Sequence, residues 1–318
     1  MKSTSLIFMS NSLTINTESW FIPLDIVTIV SIALTIGLAI LILLIILIDK
    51  TCHTVPMMLI ANSCLAELIC ASDSLGMTIF TLHNDLQQIP YPDSMCIFRG
   101  YLSYASCAVM NYSFLLQAIY RYVVVVYPNY LIFQSTRFQL FFICVTWTLG
   151  FVYPIGFMSN GNITYDVDNQ ICQISLGLSF PMIFVALCIY TIPISLIMFV
   201  YFKLVRYVKT ISNLVTPANT LIRARRELNM FRRIVIFVTI LVVLGIPYIT
   251  FICMSFFISP PKYHLRIACS AIYVSLACVI IALFQLTPPL KTSIMKLISG
   301  RRNKITPTVA FIIGKTNT

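Results

Sequence analysis

"YLSYASCAVMNYSFLLQAIYRYVVVVYP", residues 101–128, runs for twenty residues without a charge and then sets Arg121 between Tyr120 and Tyr122. Roughly 20 apolar residues, wound as a helix, cross the hydrocarbon of a bilayer, so this stretch reads as a membrane span that ends on an arginine. Whether that arginine does chemistry, holds the fold or binds something depends on what surrounds it.

The whole chain has the same character. Of its 318 residues 59% are hydrophobic and 10% charged, and the mean hydropathy is +0.92; water-soluble domains of this size are not built this way. Seven apolar runs of spanning length occur: Ile26 to Ile48, Val55 to Thr81, Tyr101 to Ile119, Leu140 to Met158, Leu176 to Phe202, Ile234 to Ser259 and Ile267 to Leu290. Only the second holds ionisable side chains of Asp, Glu, Lys or Arg, namely Glu67 and Asp73. The fold expected is an all-α membrane protein, a seven-transmembrane helix bundle with a short amphipathic helix after span seven. One domain covers 1–318: an external tail over 1–22, spans near 23–48, 55–82, 98–126, 137–158, 176–207, 226–258 and 265–290, and a cytoplasmic helix and tail over 291–318. No internal repeat or low-complexity tract interrupts it, and the first twenty residues lack the pattern of a cleaved signal, so span one is expected to serve as its own insertion signal.

The net charge of +11 would suggest nucleic acid in a soluble protein; here its distribution decides the reading. With the first tail outside, the outer segments hold Lys2, Arg99, Lys262 and Arg266, and the other 17 Lys and Arg lie at or near the inner face. The positive-inside rule therefore sets the N-terminus outside, in a multi-pass protein of the plasma membrane. Acids run the other way, with Glu18, Asp25, Asp85, Asp93, Asp166 and Asp168 external. The basic inner face has two readings, attraction to anionic lipid headgroups and a docking surface for a cytosolic partner.

Nine of eleven cysteines lie in spans or at their edges, where cysteine behaves as a small hydrophobe. Cys96 and Cys172 remain, both external, and a disulfide between them is the economical reading in an oxidising compartment. The same loop carries Asn162-Ile-Thr164, an acceptor pattern for N-glycosylation.

In this order the features resemble those of the rhodopsin-like (class A) G protein-coupled receptors over nearly the whole chain. Cys96 precedes Arg121 by 25 residues, roughly 37 Å of helix, the depth of a membrane. "AIYRYVVVVYP" is similar to the family's Asp-Arg-Tyr segment, with Arg121, Tyr122, Tyr127 and Pro128 in place. "LIANSCLAELI" resembles the span-two signature, Trp147 the tryptophan of span four, Pro193 with Tyr201 the span-five pair, Pro247 the span-six proline, and Pro288 in "LTPPLKTSIMKL" the proline of span seven. Each proline by itself reads equally as a plain helix kink.

The departures bear on mechanism. Tyr120 replaces the acid beside the arginine, Glu67 the span-two aspartate, Gly245 the span-six tryptophan and Lys291 the last tyrosine of the span-seven motif. Met110 and Thr287 further remove ligands of the family's sodium pocket. The resemblance implies that Arg121 and Glu227, which lies 20 residues before Pro247, pair across spans three and six at rest and part on activation, with Tyr201 receiving the freed arginine. The competing readings are that Glu227 balances its basic neighbours, chiefly Arg223 one turn before it, and that Tyr201 is an interfacial aromatic. Glu67 reads either as a functional carboxyl or as a neutral packed one, and Asp73 as a candidate for a ligand cavity.

Ser103 stands where amine receptors carry an aspartate, and Ile281 where a retinal-binding lysine would be; both ligand classes are disfavoured. The remaining outer set, Ser103, Tyr104, Tyr190, Tyr248, Phe251 and Tyr273 under an acidic rim, suits a small basic peptide. No catalytic set, cofactor or metal site is expected, nor a nucleic-acid partner: the histidines fall at span ends and no nucleophile and base share membrane depth. A small-solute transporter, the rival class, would show repeated halves or several intramembrane charges. The expected partners are an extracellular ligand, a heterotrimeric G protein and membrane lipid. The alternative is a receptor that binds ligand without G-protein coupling.

Overall fold

The computed structural model describes residues 21–87, 94–167, 169–174, 179–213, 218–255, 257–258, 261 and 263–298; the side chains of 21, 212–213, 218–231, 233–234, 286, 288–289 and 296–298 are outside that description. Seven helices are long and apolar enough to cross a membrane: Ile22–Ile48, Val55–Gln87, Cys96–Val126, Thr136–Ser159, Phe180–Ile211, Val235–Ser255 and His264–Gln285. Span one packs on spans two and seven, six on five and seven, and three on two, four, five and six. Span three is thus the axis of the bundle, with 72% of its apolar window buried against 11% for span six. The residues left outside, among them Phe141, Leu149, Phe199, Phe202, Ile246 and Ile249, are large and apolar. In water that surface would be a defect; in a bilayer it faces lipid.

Apolar packing cannot hold such helices together by the hydrophobic effect, because lipid tails are as apolar as leucine; close approach and interhelical hydrogen bonds do it instead. Gly150 lets span four meet span three, since a Cβ there would fall 2.5 Å from Cγ2 of Val109. Asn62 on span two then joins three helices. Its Nδ2 donates to Ser113 Oγ on span three at 2.7 Å, and its Oδ1 accepts from Trp147 Nε1 on span four at 2.7 Å. One turn nearer the Arg121 end, Gln117 Nε2 donates to Ser63 Oγ at 2.5 Å.

Two of the prolines mark departures from plain helix. In span five the segment Ala186–Thr191 is π-helical, and the Ile192 N–H bonds Leu187 O, five residues back. The carbonyl of Cys188, which that N–H would meet in an α-helix, instead accepts from Tyr112 of span three at 3.0 Å. In span seven the helix stops at Leu286, Thr287 is extended (φ −102°, ψ 98°), and Pro288 opens a separate helix, Pro288–Ile298. The expected run through residue 290 is therefore split: Pro288 starts a helix, where its missing N–H costs nothing, rather than kinking one. Ser293 of this helix donates to Asp49 at 2.6 Å, which pins it to the turn after span one.

The connection between spans four and five contains structure the sequence did not announce. Strands β1 (Ile163–Asp166) and β2 (Ile171–Ile174) pair antiparallel with Ile163 opposite Ile174 and Tyr165 opposite Cys172. Cys172 is bonded to Cys96 at the start of span three. Gly100, one turn further along span three, lies under β2; a Cβ there would fall 2.9 Å from the carbonyl oxygen of Cys172.

Replacing Asn62 by alanine strands the Trp147 and Ser113 partners together. A loss of about 1–2 kcal/mol is expected, seen as a lower thermal unfolding midpoint in detergent; an unchanged midpoint would show that the three-helix junction rests on packing alone.

Candidate functional site

At the hairpin end of the bundle the strands roof a cavity. Ser103 and Tyr104 of span three, Tyr190 of span five, Tyr248 of span six and Tyr273 of span seven all line it, together with Ile171, Cys172 and Gln173 of β2. The π-helical turn bears on this wall directly, since Tyr190 lies within it. Tyr104 is held at both ends: its hydroxyl accepts from the Ile174 N–H at 3.1 Å and its carbonyl from the Tyr153 hydroxyl at 3.0 Å. Phe251 does not line this cavity; its ring meets His264 edge-on at 5.7 Å.

Three elements converge on Arg266, which opens span seven and is 3% exposed. Its Nη1 and Nη2 grip the carboxylate of Asp85 at the end of span two, the second at 3.0 Å. Its Nε donates to the Asn169 carbonyl in the hairpin turn at 3.0 Å. Asn169 Oδ1 accepts the Leu265 N–H, Asp166 carboxylate oxygens take the Asn169 N–H and side-chain amide, and Gln170 Nε2 donates to Asp85 at 2.9 Å. The turn is thereby latched to spans two and seven, while the disulfide ties β2 to span three. Gln170 sits at φ 54°, the left-handed region, which the latch holds in place. Burial pushes the hydroxyl of Tyr165, on the adjacent strand, above its ordinary range, with the Arg266 guanidinium acting against it.

Sequence reasoning counted Arg266, Asp85 and Asp25 only as charges. The signal that marks them is position: Arg266 and Asp25 each stand immediately before an uncharged run of spanning length, at Ile267 and Ile26, where an ion must find a partner.

Deeper in span two, Glu67 is 1% exposed, and both its oxygens are buried without a hydrogen-bond partner among the described residues. Asp73 is buried and does not line the tyrosine cavity; its Oδ2 lacks a partner among the described residues, and the Arg99 guanidinium acts on it.

At the opposite end, Arg121 is 9% exposed with its guanidinium carbon 5.8 Å from the centre of the Tyr120 ring. Tyr120 itself packs with Leu59, Leu116 and Val124 against Phe142 and Ile143 of span four. The residue that replaces the family's acid has therefore become part of an apolar contact among spans two, three and four. Tyr122 meets Tyr127 edge-on at 6.2 Å. Tyr201 packs at the edge of the main core, and Pro247 lies inside the helix Ala218–Ser255. Glu227 belongs to that helix, but its side chain, and so the pairing with Arg121, lies outside the described residues.

The arrangement is a roofed cavity at one end of a central helix and a buried arginine at the other. The family model of the 7 transmembrane receptors (rhodopsin family) matches residues 38–284, from span one to span seven. The chain belongs to the rhodopsin family of seven-transmembrane receptors. A comparison with curated proteins finds no match. The family is one of receptors and not of enzymes.

Two outcomes follow for stability. Asp85→Asn should cost the receptor about 3 kcal/mol, because it leaves the Arg266 guanidinium buried with half its fork unmet; pairing it with Arg266→Met should recover part of the loss, and a thermal double-mutant cycle measures the coupling. Glu67→Met, which exchanges an unpartnered buried carboxyl for an apolar chain of similar size, should hold or raise the unfolding midpoint. A fall of several degrees would mean that the carboxyl has a partner in the membrane.

Proposed function

We propose that this receptor resides in the plasma membrane with its N-terminus outside, binds an extracellular peptide in the tyrosine-lined cavity, and activates heterotrimeric G proteins as span six swings outward. The observation that carries the reading is the cavity: aromatic on four spans, and roofed by a strand bonded covalently to the start of the helix that carries Arg121 near its other end. Tyrosines offer apolar area with a polar tip and little conformational entropy to lose, which suits peptide side chains. The acids at the same end, Asp25, Asp85 and Asp166, favour a basic one. Ser103 on the cavity wall offers no charge for an amine.

A ligand can bias the receptor only through different affinities for its two states. Moving the ratio from 1:99 to 99:1 takes about 5.5 kcal/mol of that difference. Arg121 is the group this bias acts on, restrained at rest by Glu227 across spans three and six. At this end Lys203 and Arg206 are exposed, with their charges 5.5 Å and 5.4 Å from the rings of Phe199 and Phe202; they reach for anionic headgroups along apolar stems. Asn162, beside β1, is then external and open to glycosylation.

The packing of Tyr120 into an apolar cluster, with Gly245 and Lys291 at two further switch positions, favours a second reading, a receptor that binds ligand without G-protein coupling. Expression with a panel of G proteins, followed by nucleotide exchange with and without a peptide library, separates the two. Exchange stimulated by a basic peptide supports coupling; silence throughout, despite surface expression, favours the uncoupled receptor. Glu227→Ala should raise basal exchange several-fold, and unchanged basal and stimulated exchange in a well-expressed variant would remove the restraint.

A further inference from the structure

Asp25 lies in the first turns of span one and is 5% exposed, and its Oδ2 is buried with no hydrogen-bond partner among the described residues. It lines a second, smaller cavity with Thr28, Arg266, Ser270 and Tyr273. The Thr28 and Ser270 hydroxyls bond each other at 2.9 Å and the backbone of their own helices. Arg266 spends its fork on Asp85 and its Nε on Asn169. The charges acting on Asp25 are Arg266 and Asp85, two carboxylates against one guanidinium, so the ionised cluster has one negative charge to spare.

This second cavity borders the tyrosine-lined one, with Met77, Ile171, Cys269 and Tyr273 forming the wall that both share. We infer that Asp25 is a cation subsite of the ligand cavity, which takes the guanidinium or ammonium group of a basic peptide whose apolar body lies among the tyrosines. The inference rests on the peptide reading and deepens it, naming where the basic group goes. A cation here supplies the hydrogen bonds that the carboxylate lacks, and the hydroxyl oxygens of Thr28, Ser270 and Tyr273 can accept its remaining N–H groups. The hairpin latch closes this subsite from above, since Arg266 belongs both to the latch and to the wall.

The probe is arginine amide against citrulline amide, which has the same shape without the charge, added at millimolar concentration to the purified receptor in detergent. Arginine amide should raise the unfolding midpoint by a few degrees more than citrulline amide; Asp25→Asn should abolish that difference, and Glu67→Gln should keep it. Equal shifts from the two amides, or a difference that survives in Asp25→Asn, would overturn the subsite. A second measurement reads the charge directly. Cys269, on the shared wall, should react faster with aminoethyl methanethiosulfonate than with the neutral methyl reagent. The preference over the same ratio at Cys269 in Asp25→Asn should be on the order of threefold to tenfold, read by mass spectrometry. Equal ratios at Cys269 with and without the Asp25 carboxylate would again overturn it. Neither measurement uses a peptide or a G protein, so their failure is distinct from failure of the receptor reading.

Discussion

Hydrocarbon offers no hydrogen bonds, and almost every polar detail of this receptor answers to that fact. A backbone carbonyl or side-chain amide inside the bilayer has to be met by the protein or left unmet at a cost of kilocalories. Asn62 meets two partners on two helices, Tyr112 meets the carbonyl released by the π-helical turn, and Gln117 meets Ser63. These pairs converge on span three, which is why the most polar of the central helices is also the most buried. Among the described residues Glu67, Asp25, Asp73 and Asn111 carry buried polar atoms that escape the rule, and Glu67 stands apart in leaving both of its carboxyl oxygens unmet.

Architecture was legible in the sequence to the extent that it follows from apolar length. Seven apolar runs specify seven helices because no other backbone arrangement of that length survives in lipid, and the external Cys96 and Cys172 had only each other. The strands were not legible. "ITYD" and "ICQI" are four residues each, too short for alternation to rise above chance, and their pairing depends on a disulfide and on a latch that close the chain from outside. The break at Thr287 was hidden for a related reason: a proline in an apolar run reads as a kink, and only the backbone of the residue before it reveals a helix end.

The site was legible in part. Ser103, Tyr104, Tyr190, Tyr248 and Tyr273 fell on the cavity because helical spacing from Arg121, Pro193 and Pro247 fixes depth. Depth alone does not fix direction, and Phe251, three residues after Tyr248, faces His264 instead. Asp85, Asn169 and Arg266 join three segments separated by 84 to 181 positions in the chain, and no local pattern announces a contact of that range. The role of Tyr120 also needed the structure: its sequence position says only that a carboxylate is missing, while its contacts show what took the vacated place.

The π-helical turn in span five has a geometric consequence for reading this helix. Six residues, Ala186–Thr191, are wound where the hydrogen bonds reach back five positions, so one residue more than an α-helix requires is spent in the turn. An α-helix advances about 100° per residue, and everything after the turn is rotated by roughly that angle relative to an unbroken helix. The two halves of span five are thus out of phase: a helical wheel drawn through Tyr190 assigns Tyr201 to the wrong face. Deleting one residue within the turn would bring the halves back into phase and swing the entire lower half, from Ile192 to Asn213, away from the partners it now has.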